Sequence, residues 1–382
     1  MDVIMKYIFG LALAGGGARG AYAAGVLRYM FTELPKHIGE VPWPKIVSGT
    51  SVGALNGYFA ACHDPNEIRR MQEIWQNISI QDVFSFYEGG TFGTLRYMLG
   101  MSSRGHLLSQ APLRKLIQQE ASRRSLRKSI AANLCRAYIV SATHLQTGEG
   151  TLFIETNDPT FEIPPPPFGS IEYSKIYPEH LIASSAIPVL FPPEAIDGEY
   201  FIDGGVRQNA PLHPVLYGGA QKILVIGTRY ANTKRNSQGT DPTLSQIAGK
   251  TLNALTLDPI ERDARSTNLI NSIIDWGVER YGEEFSNTLL KDKGIRKTEI
   301  IQIQPSESLG SLVMDCYDAQ KVQTTRNIKW LLNKLYSQGK ESGDSDLLSQ
   351  ILFDQCYTKA AERLGFYDAQ KRQEELISFF LD

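Results

Sequence analysis

The sequence predicts an α/β protein in which a mostly parallel central sheet carries helices on both faces and a mainly helical C-terminal region follows. Up to residue 230, short apolar runs alternate with helix-length segments, and this alternation is typical of parallel strands joined by helical crossovers. Three glycine-containing motifs also come directly after predicted strands. With 42% hydrophobic and 21% charged residues among 382, the composition excludes extended disorder or a coiled coil for the whole chain.

The individual elements follow from the lengths of the apolar runs. We predict strands at residues 8–14, 45–48, 137–143, 199–202 and 222–227, with helices such as 21–34 and 52–62 between some of them. Four successive prolines, residues 164–167, predict a surface loop, because proline lacks the N–H group that a central strand needs.

The domain organisation follows from a polar, turn-rich stretch at residues 231–241. A boundary inside this stretch divides the chain into an N-terminal α/β unit, residues 7–235, and a C-terminal extension of unknown role, residues 236–382. The extension is predicted to form helices around one strand at residues 299–303. A second polar break at residues 340–346 precedes two predicted terminal helices.

The first apolar run allows two interpretations. Lys6, the short run after it and the A-x-A ending at Ala14 are features of a cleaved signal peptide. A short apolar run bounded by glycines is equally typical of a buried parallel strand. We favour the strand, because cleavage after Ala14 would delete the element that leads into the glycine loop described next.

Charge and cysteine content limit the classes of partner. Lys and Arg total 39 while Asp and Glu total 41, so the net charge gives no overall electrostatic reason to bind nucleic acid. The four cysteines are widely spaced and form no C-x-x-C pair, which argues against a zinc site or a disulfide framework and favours a reducing compartment. No apolar run reaches the roughly 18 residues that span a bilayer.

The first motif, residues 15–20 with the sequence GGGARG, follows the first predicted strand. Read as G-x-G-x-x-G, it fits a dinucleotide-binding loop, whose glycines bring backbone N–H groups to a phosphate at a helix N-terminus. Such a site also needs an acidic residue at the end of the second strand. This chain has Ser48, Gly49 and Thr50 at that position instead.

The second motif is G-x-S-x-G at Gly49, Ser51 and Gly53, on a predicted strand-to-helix turn. A nucleophile elbow needs small residues two before and two after the serine, because the backbone turns sharply there. The apolar helix that follows would place Ser51 at the carboxyl edge of the sheet, where the helix dipole favours a developing alkoxide. The alternative is a turn of small residues without chemistry.

The third motif, Asp203-Gly204-Gly205, follows the strand predicted at residues 199–202. An aspartate at a strand end followed by two glycines can face a cleft without steric cover, although D-G is also a common turn dipeptide. Each motif alone has little weight. Together they indicate one site, because all three fall at predicted strand ends, where the active sites of open α/β sheets lie.

On these motifs, the sequence resembles the patatin-like phospholipase family, the relatives of the plant storage lipases and of cytosolic phospholipase A2. The glycine-rich loop with its arginine, the elbow and the D-G-G/A motif all match. Residues 142–149, 183–188 and 204–211 are similar as well, so the resemblance covers residues 7–230. One departure is Ala14, where many members have aspartate before the glycines.

The resemblance implies a hydrolase that cleaves carboxylic esters of phospholipids or lysophospholipids through a Ser-Asp dyad and an acyl-enzyme. Ser51 would be the nucleophile and Asp203 the general base. It implies no cofactor, and because no acidic loop with calcium-ligand spacing is apparent, we expect no metal to be required. The oxyanion-hole loop would comprise Gly15, Gly16, Gly17, Arg19 and Gly20, with Gly49 and Gly53 supporting the elbow and Gly204 and Gly205 supporting the aspartate.

Three alternatives stay open. A Ser-His-Asp triad would need a histidine, for which His213 is best placed and His180 second; the prolines that flank the Leu212-His213 pair favour a surface turn or a helix start. The glycine loop would also suit a nucleotide-binding oxidoreductase. A catalytically silent lipid-binding module on the same fold is the third alternative.

A net charge near zero means that attachment to a lipid surface needs a local feature. The basic run at residues 123–128 would contact anionic headgroups or form a solvated helix face. Residues 84–101, rich in aromatic residues, Met and Gly, predict either a mobile cover or a core segment with loops. Residues 374–381 predict docking onto the core. We expect a cytoplasmic protein, peripheral at a membrane, with secretion as an alternative.

Overall fold

The computed structural model describes residues 7–86, 108–121, 123–207, 212–230, 259–340 and 343–381. Each predicted strand up to residue 230, and the strand predicted at residues 299–303, is present within two residues of its expected ends. The strands are β1 (Phe9–Leu13), β2 (Ile46–Thr50), β3 (Ser85–Phe86), β4 (Leu108–Ser109), β5 (Ala137–His144), β6 (Gly150–Thr156), β7 (Gly169–Tyr173), β8 (Glu194–Ile196), β9 (Glu199–Asp203), β10 (Lys222–Ile226) and β11 (Glu299–Ile303).

Nine of the described strands form one sheet in the order β11-β10-β1-β2-β5-β6-β7, with β9 paired to β5 and β8 paired to β9. The five strands from β11 to β5 are parallel neighbours, whereas β6 runs antiparallel to β5. The mostly parallel sheet is therefore confirmed. Strand β11 pairs with β10 over its full length, so the C-terminal region contributes an edge strand to the same sheet.

The helices cover both faces of this sheet. The predicted helix 21–34 is an α-helix that continues into a π-helical turn at Tyr29–Glu33. The helices are α1 (Gly20–Arg28), α2 (Pro35–Ile38), α3 (Val52–Ala61), α4 (Pro65–Asn77), α5 (Ile80–Val83), α6 (Ala111–Glu120), α7 (Arg123–Ala131), α8 (Pro178–Ser184), α9 (Leu212–Tyr217), α10 (Pro259–Tyr281), α11 (Glu283–Lys293), α12 (Leu309–Cys316), α13 (Arg326–Gly339), α14 (Asp346–Ile351), α15 (Gln355–Lys371) and α16 (Gln373–Leu381).

Strand β1 lies inside the sheet, between β10 and β2. All five of its residues are buried. Leu11 and Leu13 pack into the core layer under α1 and α3, whereas Ala12 packs into the layer on the opposite face, as the two-residue period of a strand requires. The interpretation of the first apolar run as a strand is confirmed.

The C-terminal helices pack directly on α1 and β1, the two elements that flank the glycine loop. The Tyr22 hydroxyl donates to Asp368 over 3.0 Å, and Arg28 forms an ion pair with Glu362 at 2.6 Å, so α15 is fixed along α1. Phe9 of β1 meets the ring of Phe380 edge to face, with centroids 5.0 Å apart, so the terminal segment docks onto the core as predicted.

One further sequence prediction, the number of terminal helices, is wrong, and the domain boundary stays a prediction. Three helices, α14 to α16, follow the polar break at residues 340–346, where two were predicted; the short α14 lacks the length that gives a clear apolar period. The boundary predicted at residue 235 lies outside the described residues. None of the helices that the structure describes is both long enough and apolar enough to cross a membrane.

Candidate active site

Ser51 lies at the turn between β2 and α3 in a strained backbone conformation. Its φ of 54° and ψ of −129° fall where residues other than glycine are rarely found. The backbone packs so tightly here that a Cβ atom on Gly49 would lie 2.4 Å from the carbonyl oxygen of Gly53, and one on Gly53 would lie 2.3 Å from that of Leu13. The predicted requirement for small residues around the serine is therefore a property of the fold.

Ser184 holds this turn in place. Its Oγ accepts a hydrogen bond from the Ser51 backbone N–H at 2.8 Å and donates one to the carbonyl of Ser141 at 2.6 Å. Ser184 is fully buried at the C-terminus of α8. The sequence analysis did not predict this role. Residues 183–188 resemble the family, but nothing in their pattern indicates that Ser184 contacts Ser51.

Asp203 ends β9, where it lies opposite Ala142 of β5. Its Oδ1 accepts a hydrogen bond from the Gly205 N–H at 2.7 Å. Burial raises the pKa of the Asp203 carboxyl to about 6, although hydrogen bonds from Gly205 and from the Ser51 side chain act in the opposite direction. The structure thus brings Ser51, 5% exposed, and Asp203, 4% exposed, into one buried pair.

The glycine loop lies beside this pair. Gly16 has a φ of 141° and Gly17 a φ of 58°, and the 3-10 turn Gly17–Arg19 leads into α1. Thr228 anchors the loop by donating to the carbonyl of Gly15 at 2.8 Å. Both Gly16 and Gly17 are partly exposed, and no acceptor for their N–H groups is found among the described residues. These two N–H groups are available to a ligand.

Asn56 connects the glycine loop to the elbow helix. Its Nδ2 donates to the carbonyl of Gly20 at 2.9 Å, and its Oδ1 accepts from the Trp75 indole N–H at 2.9 Å. At 1% exposed, this amide satisfies a buried acceptor and a buried donor together. Sequence reasoning missed Asn56, because a single polar residue in an apolar helix carries no periodic signal.

An apolar cavity opens at Ser51. Its empty volume, counted together with the open mouth, is about 920 Å³. Most of its walls come from α3, α4 and α6, and the end of α14 and Phe353 after it also contribute. The lining includes Gly17, Ser51, Leu55, Asn56, Tyr58, Phe59, Met71, Ile74, Trp75, Ile78, Val83, Phe84, Leu113, Leu116, Ile117, Leu181, Ile187, Phe191, Gln350, Ile351 and Phe353.

The two candidate histidines lie in other environments. The ring of His213 packs against that of Tyr217 at a tilt of 38°, with ring centroids 4.5 Å apart, and burial lowers the pKa of His213 to about 4. His180 accepts a hydrogen bond from the Tyr177 N–H at 3.0 Å as part of the N-terminal cap of α8. Within the described parts of the chain, no hydrogen bond or ion pair joins either histidine to Ser51 or Asp203.

The remaining sequence features fall at the edges of the site or outside it. The basic run at residues 123–128 lies at the start of α7, and its contact with lipid stays a prediction. Of residues 84–101, Phe84 lines the cavity and Phe86 is in β3, while residues 87–101 lie outside the described residues. Nowhere in the described ranges do three or more His, Cys, Asp or Glu side chains cluster as metal ligands would.

Comparison with known proteins assigns the family. The model of the patatin-like phospholipase family matches residues 11–216, more than half of the chain. A cGAMP-activated phospholipase from Pseudomonas aeruginosa (strain BWHPSA011 / Pa011) is 27% identical over 232 residues, covering 57% of this chain and 61% of that relative. The match thus spans less than two thirds of the relative's length.

A solved structure is similar as well. The crystal structure of VipD from Legionella pneumophila is 13% identical, with a TM-score of 0.40 over 97% of this chain and 67% of VipD. This similarity is too low to add to the assignment, which depends on the family match and on the three motifs that meet at one sheet edge. The chain belongs to the patatin-like phospholipase family.

Proposed function

We propose that the protein is a lipid acyl hydrolase that uses Ser51 and Asp203 as a catalytic dyad. The observation that carries the proposal is the position of Ser51: it hydrogen-bonds to the buried Asp203 and also lines an apolar cavity. A nucleophile beside a base accounts for ester cleavage, and apolar walls account for an acyl chain as the bound group. The substrate class is therefore phospholipid or lysophospholipid.

The chemistry takes place in two halves. The Ser51 hydroxyl attacks the ester carbonyl carbon while its proton passes to Asp203, and the alcohol then leaves with that proton. Water attacks the acyl-enzyme in the second half. Asp203 accepts a proton from this water, and the proton returns to Ser51 as the fatty acid is released.

The glycine loop supplies the charge stabilisation. In both halves the former carbonyl oxygen becomes negative, and the N–H groups of Gly16 and Gly17 are proposed as its donors. Preorganised donors of this kind typically contribute about 2.7–4 kcal/mol each to lowering the barrier. Arg19, at the end of the same turn, holds the loop rather than contacting the oxyanion.

The dyad is tested with a fluorophosphonate probe and with mixed phospholipid vesicles. Wild type should be labelled covalently and should release free fatty acid, whereas Ser51→Ala should show neither. Asp203→Asn should lose turnover while remaining folded by circular dichroism. His213→Ala is the matched control: near-native turnover supports the dyad, and loss of turnover in a folded protein supports the triad instead.

The same assay addresses cofactors and activators. We propose that no metal takes part, so turnover should persist in EDTA; a chelator that abolishes it would contradict this. The Pseudomonas relative is named for its activation by cGAMP, so one arm includes cGAMP. Phospholipid and lysophospholipid substrates are compared side by side, because they differ in the number of acyl chains that the protein must accommodate.

A further inference from the structure

The side chain of Arg19 extends from the glycine loop into helix α14. Its Nε donates to the Oγ of Ser349 at 2.8 Å, and its Nη2 donates to Oδ1 of Asp346 at 3.0 Å. Nη2 also donates to the backbone carbonyl of Asp346 at 3.1 Å. Arg19 is 3% exposed and Ser349 is fully buried, whereas the Asp346 side chain is 18% exposed. The hydrogen bond between Arg19 and the Asp346 carboxylate is charge-assisted, and such bonds are stronger than those between neutral groups.

The backbone of the loop meets the same helix. A Cβ atom on Gly17 would lie 2.2 Å from the carbonyl oxygen of Gln350, so the loop and α14 are in direct backbone contact. Gln350 and Ile351 then line the cavity, and Phe353 stacks on Trp75 with ring centroids 6.4 Å apart. One short segment therefore contacts the proposed oxyanion donors and forms part of the acyl-chain wall.

We propose that α14 sets the position of the oxyanion loop and that Asp346 and Ser349 are positioning residues that act through Arg19. The inference rests on the proposed hydrolase function. Glycine-rich backbone is conformationally permissive, and oxyanion donors work only within tenths of an ångström of their productive position. The loop lacks side-chain bulk of its own to fix Gly16 and Gly17, and the α14 contacts supply that constraint.

The rival explanation is that these contacts only stabilise the fold. Arg28 and Glu362 form a matched pair for this comparison. This pair joins α1, the helix that follows the glycine loop, to the C-terminal helix α15 at 2.6 Å, and the Glu362 side chain is 4% exposed. Their side chains do not line the cavity. Asp346→Asn and Glu362→Gln each remove one negative charge from the same interface with almost no change in volume.

The experiment measures kcat, KM, the fluorophosphonate labelling rate and the pH profile in the full chain. Asp346→Asn should lower kcat by about 10- to 100-fold with little change in KM, since a 1 Å displacement of catalytic groups costs about that much. The labelling rate should fall by a similar factor, because the phosphonyl oxygen uses the same donors. The acidic limb of the pH profile should not move, because Asp203 is untouched.

The controls separate positioning from stability. Glu362→Gln should leave kcat unchanged even where it lowers the melting temperature. Ser349→Ala is a milder second variant that should reduce kcat several-fold. It replaces Asp346→Asn in the comparison if that protein folds poorly. Equal losses of kcat in Asp346→Asn and Glu362→Gln, or no loss in either α14 variant, would overturn the inference. A wild type that neither labels nor hydrolyses ester overturns the proposed function as well, so the two failures are distinguishable.

Discussion

The backbone N–H of Ser51 donates a hydrogen bond to the hydroxyl oxygen of Ser184, 2.8 Å away. The Ser184 hydroxyl donates a hydrogen bond in turn to the carbonyl of Ser141, so the elbow is tied through one buried hydroxyl to strand β5. Because a residue at φ 54° persists only when its surroundings hold it there, these two hydrogen bonds are part of what keeps Ser51, the proposed nucleophile, in position.

Ser184→Ala should therefore lower both stability and turnover. It leaves the Ser51 N–H and a Ser141 lone pair without their partner, at a cost of about 1–3 kcal/mol for each buried group. Urea unfolding measures the first effect and ester hydrolysis the second. Ser129→Ala is the matched control, since Ser129 is also buried and also accepts a backbone N–H, from Cys135; it should lower stability alone. Native turnover in Ser184→Ala would contradict the positioning role.

The pH dependence of turnover should follow Asp203. A general base must be ionised to accept a proton, and burial raises the Asp203 pKa to about 6. The value of kcat/KM should thus fall below pH 6, approaching a tenfold loss per pH unit. A stopped assay with a soluble short-chain ester measures this without changes in vesicle charge. A plateau that extends unchanged to pH 4.5 would rule out Asp203 as the base.

The same pKa makes a prediction about stability. Folding raises the Asp203 pKa from 3.8 to about 6, so the protonated carboxyl is favoured in the folded state. Its stabilising contribution is complete below pH 3.8 and is lost as the pH rises through 6. Relative to wild type, Asp203→Asn should gain unfolding free energy over this window, on the order of 3 kcal/mol at most. If the curves of unfolding free energy against pH were parallel for wild type and Asp203→Asn, they would contradict the effect of burial on the Asp203 pKa.

Backbone strain at the elbow can be measured with two inactive variants. Ser51→Gly and Ser51→Ala both remove the hydroxyl, but only glycine adopts a φ of 54° and a ψ of −129° without strain. Ser51→Gly should be more stable than Ser51→Ala by about 1 kcal/mol or more, after the larger unfolded-state entropy of glycine is allowed for. Thermal unfolding of the two proteins makes the comparison, and equal stabilities would argue against a strained turn.

The width of the apolar cavity should set chain-length preference. Ile117 of α6 is buried and lines the cavity, so Ile117→Trp should fill space that an acyl chain would occupy. Hydrolysis of long-chain esters should fall more than hydrolysis of butyrate esters. The ratio of these two rates in the same protein sample does not depend on how much of the sample is folded, so it serves as its own control. An unchanged ratio would place the acyl chain elsewhere.

Much of the site could be predicted because its residues lie in local motifs. The strand before Ser51, the strand before Asp203 and the glycine loop each have a short-range pattern, and the parallel sheet brings such strand ends to one edge. The need for glycine at positions 49 and 53 could also be predicted, since a nucleophile elbow in any chain needs small residues at these two positions. The structure confirms the predicted sheet and its strands.

The supporting residues could not be predicted, because their partners are distant in sequence. Ser184 meets Ser51 across 133 residues, and Asn56 carries one polar group in a helix that is otherwise apolar. Asp346 lies at the end of a stretch whose polar composition is typical of a linker. Strand β6 was missed as well, because its antiparallel pairing with β5 depends on a hairpin-like connection rather than on a helical crossover.

The contact between Arg19 and Asp346 joins residues 327 positions apart, and this separation determines when activity can first appear. During synthesis the glycine loop and the elbow leave the ribosome long before α14 exists. If α14 positions the oxyanion donors, the nascent chain lacks this constraint until α14 has been translated. Full activity then begins only after translation has passed α14, and a prematurely terminated chain that lacks this helix should hydrolyse lipid esters far more slowly than the full chain.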